Sequence, residues 1–257
     1  MNTATATPNA IGHSGRPSIG TLTSVELRKM SDTVAGFWML LFVAGSVVAT
    51  VVLSCLTTPD NKHAIDVLFY NSLQPVTVLL PIVGILLISS EWTQRTTLTT
   101  FSLVPQRSRV ILAKVLAGSA VSLVAVALCL GVSAIATAVS AGGVPNEWAL
   151  PLTVVGQALV LVVATTTVGI GFGALFLASA PAIVSYLTLP LAVVAIGHID
   201  VLRGIAHWVD MGAALDPLGL HVMNGTEWAH AGSSLAIWMV LPLAVGFYRI
   251  TGRDIAS

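Results

Sequence analysis

Lysine occurs only three times in the 257 residues, at Lys29, Lys62 and Lys114, and none follows a glycine. The G-x-x-x-x-G-K-[ST] loop that cradles nucleotide phosphates is therefore absent, as are H-E-x-x-H and G-x-S-x-G. No catalytic residue, metal-ligand set or cofactor is assigned to this chain. His198, His207, His221 and His230 share one stretch with Asp200, Asp210, Asp216 and Glu227. Their spacings fit no metal pattern, so a polar helix face is expected, and a membrane-embedded enzyme using this stretch is the rival. Cys55 and Cys129 both lie in apolar runs and form neither a disulfide framework nor a zinc pattern.

Two other groups of polar residues could do work. Asn71, Gln74, Gln157, Thr165, Thr166 and Thr167 sit inside apolar runs. They either hydrogen bond helix to helix or line a substrate path. The second group is the segment from Ser89 to Arg109, followed by Val-Ile-Leu-Ala-Lys114. Glu91 is expected near the start of a helical turn, where the dipole favours a carboxylate. Leu98, Phe101 and Leu103 give a short apolar face, and Pro105 ends it. Arg107 and Arg109 are placed at the membrane surface, with Lys114 snorkelling toward it.

These residues need elements to hold them, and composition says which. Charged residues make up 9% of the chain, hydrophobic residues 55%, and the formal net charge is zero. Mean hydropathy is +0.91. So few charges cannot cover a soluble fold of this length, and no basic excess exists for nucleic acid. The class is an all-α integral membrane protein whose apolar stretches touch membrane lipid. Residues 1–20 are expected to form a flexible tail. A surface helix follows, with Thr23 and Glu26 at capping-box spacing and Glu26, Arg28, Lys29 and Asp32 as its polar side. Six apolar stretches come next, near 34–56, 67–90, 110–141, 149–179, 181–197 and 234–250. Each is close to or above the roughly 20 residues a span needs. A break is placed at Ala178–Pro181. Asp200, Arg203, His207 and Asp210 predict one face of an outer amphipathic helix.

With six spans and an inner N-terminus, Arg16, Arg28, Lys29, Arg95, Arg107, Arg109, Lys114, Arg249 and Arg253 fall inside. Only Lys62 and Arg203 fall outside, so the positive-inside rule places both termini in the cytoplasm. Gly169 and Gly173 form a G-x-x-x-G in the fourth span, where two helices can approach closely, within one chain or across a dimer. Pro75, Pro81, Pro190 and Pro242 are expected to kink spans.

The run SSEWTQRTTLTTFSLVPQRSRVILAK resembles the cytoplasmic loop of ABC-2 type transporter permeases, through Glu91, Trp92, Thr96, Pro105, Arg107, Arg109 and Lys114. The earlier run SVELRKMSDTVAGFWMLL is similar to their connecting helix through Glu26 and Lys29. Arg95 stands where such permeases often have Gly, and Val34 and Ala35 stand where they often have a basic residue. The resemblance implies that residues 21–257 form an ABC-2 type transmembrane domain in the plasma membrane, an exporter subunit without ATPase activity. It implies separate ABC ATPase subunits, which bind ATP and Mg. A second permease, identical or a paralogue, completes the assembly. It also implies a coupling surface of Glu26, Lys29, Glu91, Trp92, Arg95, Thr96, Phe101, Pro105, Arg107 and Arg109. A non-transport anchor or sensor for an ATPase is the other rival. The substrate is not readable from the sequence.

Overall fold

A computed structural model describes residues 18–57, 64–93, 107–140, 146–197, 199, 204 and 208–252. Among these residues the fold is all helical: α1 Ile19–Asp32, α2 Val34–Thr57, α3 Ile65–Thr93, α4 Arg107–Val139, α5 Leu152–Phe176 and α6 Ser179–Gly197. Two short helices follow, α7 Met211–Leu215 and α8 Pro217–Leu220, then α9 Gly225–Leu235, a π-helical turn Ala236–Val240 and α10 Leu241–Gly252. Six helical segments are long and apolar enough to cross a membrane: α2 to α6, and Gly225–Ile250 made of α9, the π turn and most of α10. This is the architecture of a multi-pass membrane protein.

The sixth segment starts earlier than the apolar run at 234 suggests, because Asn224 and Glu227 build a full capping box at its start. The helix thus nucleates on polar residues before the apolar run begins. The π turn comes just before Pro242, which has no N–H for its own helical bond. The surface helix also starts early. Ser18 is its N-cap and accepts from the Thr21 N–H at 3.1 Å. Thr23 is not a cap; its hydroxyl donates back to the Ile19 carbonyl within the helix. Residues 18–20 therefore belong to α1 and its cap, and residues 1–17 lie outside the described residues.

Helix α5 is the spine. It is buried along most of its length, and its glycines let neighbours reach its backbone. A Cβ on Gly169 would collide with the Pro81 carbonyl oxygen of α3, and one on Gly173 with the Ile88 side chain. From the other helix of each pair, a Cβ on Gly84 would lie 2.7 Å from the Thr166 carbonyl oxygen, and one on Gly246 2.6 Å from the Ala174 Cβ. The G-x-x-x-G thus packs within the chain. α5 ends at Leu177, whose backbone is left-handed (φ 55°) and whose N–H returns to Gly173. The chain reverses there, a few residues before Pro181. Pro181 sits in the first turn of α6, where a missing N–H costs nothing.

The ladder of contacts sorts the helix ends. The Ser89 and Ser179 hydroxyls are 2.8 Å apart, and Arg249 donates to the Leu175 carbonyl. The C-terminal ends of α3, α5 and α10 therefore meet the N-terminal ends of α4 and α6, and α1 lies against them. At the far end, the Ile65 N–H donates to the Glu147 carbonyl at 2.8 Å, α8 packs on α3 and α5, and Leu215 of α7 lies against Leu161 of α5.

The tight backbone contacts make a clear prediction. Gly169→Ala should lower the thermal unfolding midpoint of the purified protein, because its new methyl meets Pro81 backbone. Gly131→Ala meets nothing within 4 Å and should leave the midpoint equal or higher.

Candidate functional site

Four charged side chains meet where α1 crosses the ends of α3 and α4. Lys29 and Lys114 alternate with Glu26 and Glu91 in a closed ring. Lys29 Nζ lies 2.9 Å from Glu26 Oε1 and 2.7 Å from Glu91 Oε1. Lys114 Nζ lies 2.8 Å from Glu26 Oε2 and 3.0 Å from Glu91 Oε1. The Lys114 ammonium gives its third hydrogen to the Leu87 carbonyl at 2.9 Å. All three of its donors are thereby used.

Local sequence dictates this meeting. Glu26 and Lys29 are three apart on α1, so both face the same way. Lys114 follows Arg107 by seven residues, about 10 Å into α4. Lys114 does not snorkel: its side chain is 2% exposed, because two carboxylates and a carbonyl reach it where it stands. Glu91 also departs from expectation. It lies in the last turn of α3, where the dipole disfavours a carboxylate, and the two ammonium groups supply the compensating charge. The ring is neutral, so its burial leaves no net charge in a low dielectric.

Lys29, on α1 outside the spans, is pulled in two directions. Burial alone would lower its pKa, but hydrogen bonds from its ammonium to Glu91 and Glu26 outweigh that and hold it above its ordinary 10.5. A raised lysine stabilises the fold fully below its unfolded value. That contribution disappears as pH rises through the folded value.

Of the other expected coupling residues, Trp92 is partly buried against Ile88, Ile170, Ala174, Leu177 and Ile250. Arg109 is half-buried in the first turn of α4, and Arg107 opens that helix. Arg95, Thr96, Phe101 and Pro105 lie outside the described residues. The ring and the ends of α3 and α4 therefore bracket the 94–106 segment.

The residues expected along a substrate path divide. Asn71 donates to the Ser54 hydroxyl at 3.2 Å and ties α3 to α2. Gln157 donates to the His221 carbonyl and accepts from the Met223 N–H, which fixes the outer segment on α5. Thr166 donates to the Val162 carbonyl and lies 3.1 Å from the Ser122 hydroxyl of α4. Thr167 bonds its own helix. Gln74 and Thr165 line a cleft of about 200 Å³ between α3, α5, α6 and α7, and the Thr165 hydroxyl also donates to the Leu161 carbonyl of its own helix at 3.0 Å. Sequence reasoning missed three residues there: Tyr70, Tyr186 and Asp216. The Tyr70 hydroxyl donates to Asp216 Oδ1 at 2.7 Å across 146 residues of sequence, a pairing that no local spacing reveals.

The outer histidines are partly placed. His221 lies 2.9 Å from Glu227, and His230 stands edge-on to Trp208 with centroids 4.4 Å apart. Asp210 caps α7 by accepting from the Ala213 N–H at 3.1 Å. His198, Asp200, Arg203 and His207 lie outside the described residues. Among the described residues no group of three metal-ligating side chains converges.

No protein-family model matches the chain, and no curated protein matches it in sequence.

Two predictions follow from the ring's geometry. Lys114→Met leaves two carboxylates facing one cation and should cost about 3–5 kcal/mol in unfolding free energy. Adding Glu26→Gln restores neutrality and should recover part of that loss, read by chemical unfolding in detergent. A spin label at exposed Ser24 should stay immobile through pH 10.5 and gain mobility only as pH rises through the elevated Lys29 value.

Proposed function

We propose that the chain is the membrane-spanning permease subunit of an ATP-driven exporter, powered by separate ATP-binding-cassette subunits. The observation that carries this reading is the Glu26–Lys29–Glu91–Lys114 ring. It ties the surface helix to the last turn of α3 and the second turn of α4, the two helices joined by the 94–106 segment. A push on that segment would enter a stiff three-helix unit rather than bend a loop. Such stiffness is what a subunit without its own phosphate loop needs if work arrives from another molecule.

The bracketed segment is the one whose residues resemble the coupling loop of ABC-2 type permeases, and the ring contains both residues that carry the connecting-helix resemblance. In this reading the ring, the 94–106 segment and both termini lie on the cytoplasmic face of the plasma membrane, and the excess of Lys and Arg in those stretches of the sequence supports it. Two permeases, identical or paralogous, would pair, each with an ATPase carrying ATP and Mg. Cargo would move along the cleft that holds Gln74 and Thr165.

Purification of the tagged chain from its native membranes in mild detergent tests this. Mg-dependent ATP hydrolysis should co-purify with it. In sealed vesicles, ATP should drive solute movement that Arg107→Glu abolishes. A chain that moves solute with no nucleotide-hydrolysing companion would contradict the proposal.

A further inference from the structure

The cleft has a chemical character that the permease reading leaves open. Its floor is apolar, with Leu73, Leu161 and Leu215 at its base. Tyr186 stands in its wall, 5% exposed, its hydroxyl donating to the Thr77 carbonyl at 3.1 Å. At the mouth the Tyr70 hydroxyl is held by exposed Asp216. Asp216 is the one acid among the lining residues, and no Lys, Arg or His lines the cleft among the described residues.

Two further observations point to a ligand. Gln74 is exposed nine residues into α3, about 14 Å along an apolar helix. A polar side chain exposed at that depth is costly against lipid unless it faces a cavity. Among the described residues the far end of the bundle also carries acids but no Lys or Arg. Asp66, Glu147, Asp210, Asp216 and Glu227 lie there, while the described Lys and Arg residues all lie at the ring end. An acidic rim over an apolar floor concentrates cations at the mouth.

We infer that this cleft binds amphiphilic organic cations, with Asp216 as counter-charge, the Tyr70 and Tyr186 rings as cation-facing walls, and the leucine floor taking the apolar body. Aromatic faces attract ammonium groups, and this attraction strengthens when the site is desolvated. Size agrees. A cavity of about 150 Å³ accepts benzene, so about 200 Å³ accommodates a ring with a compact cationic head. Asp216 need not be consumed by structure: as N-cap of α8 its side chain makes no capping bond. The arriving cation would share or replace the Tyr70 hydrogen bond. As a site for cargo, the inference rests on the permease reading; as a binding site, it is measurable without it.

Calorimetric titration of the full chain in phosphatidylcholine nanodiscs with benzyltrimethylammonium tests the site. Saturable binding is expected. Asp216→Asn, which keeps the Tyr70 bond, should weaken it about tenfold or more, the scale of one lost charge contact. Asp216→Glu should restore it, Tyr70→Phe should retain most of it, and benzenesulfonate should not bind. Absence of saturable cation binding, or equal affinity in Asp216→Asn, overturns the inference. The titration contains neither nucleotide nor ATPase, so that result leaves the permease reading standing. Conversely, a missing ATPase companion leaves the titration intact.

Discussion

Lys114 is a full positive charge held almost completely out of water within an apolar helix, and the fold at that end of the bundle is arranged around it. A lone ammonium at this position would be prohibitive. Glu91 on α3 and Glu26 on α1 make it tolerable, but two carboxylates against one cation would then be over-charged. Lys29 completes the neutral ring from the wetter side, and each carboxylate bridges both cations. No member can leave without stranding another. A surface helix that might have floated on lipid headgroups is thereby fixed to two spans. A buried ion network of this kind is poor at adding net stability, because desolvation offsets most of its Coulomb energy. Its contribution is geometric: it allows one arrangement of α1, α3 and α4 and excludes the others.

The remaining spans distribute around α5 by a different rule. Lipid supplies no hydrophobic drive between helices, so close approach depends on small residues. Gly169 and Gly173 of α5, with Gly84 and Gly246 facing it, bring α3 and α10 to backbone contact. Toward the far end, α3 and α5 are separated enough, with α6 and α7 beside them, to leave the cleft between Tyr70, Gln74, Thr165 and Tyr186. The molecule is thus clamped by charge at one end and holds a small cleft toward the other.

Much of this architecture was legible in the sequence. Six apolar runs, the break before Pro181 and the close-packing glycines follow from composition and spacing. Glu26, Lys29 and Glu91 stood among the ten residues that the resemblance marks as a coupling surface. Their mutual pairing was not legible. The separation of 62 positions from Lys29 to Glu91 carries no periodic signal that they touch. Lys114 was misread for a physical reason: a lysine near a span end usually snorkels, and only the arrival of two carboxylates from other helices makes burial the better choice. The early start of α1 at Ser18 and of the sixth segment at Gly225 escaped because hydropathy reports apolar runs, whereas polar caps set helix starts. The Tyr70–Asp216 contact lay beyond sequence reasoning, since it depends on α8 folding back over α3.

The central claim is that α1, α3 and α4 move as one piece when force arrives through the segment between α3 and α4. Pulsed electron resonance distances in the chain together with the proposed ATPase test it most directly, with spin labels at Val25 of α1 and Leu112 of α4, and a second pair at Leu112 and Leu189 of α6. The account predicts that adding ATP and Mg leaves the Val25–Leu112 distance narrow and unchanged while the Leu112–Leu189 distance shifts. A Val25–Leu112 distance that broadens or changes with nucleotide, while the second pair stays fixed, would contradict it.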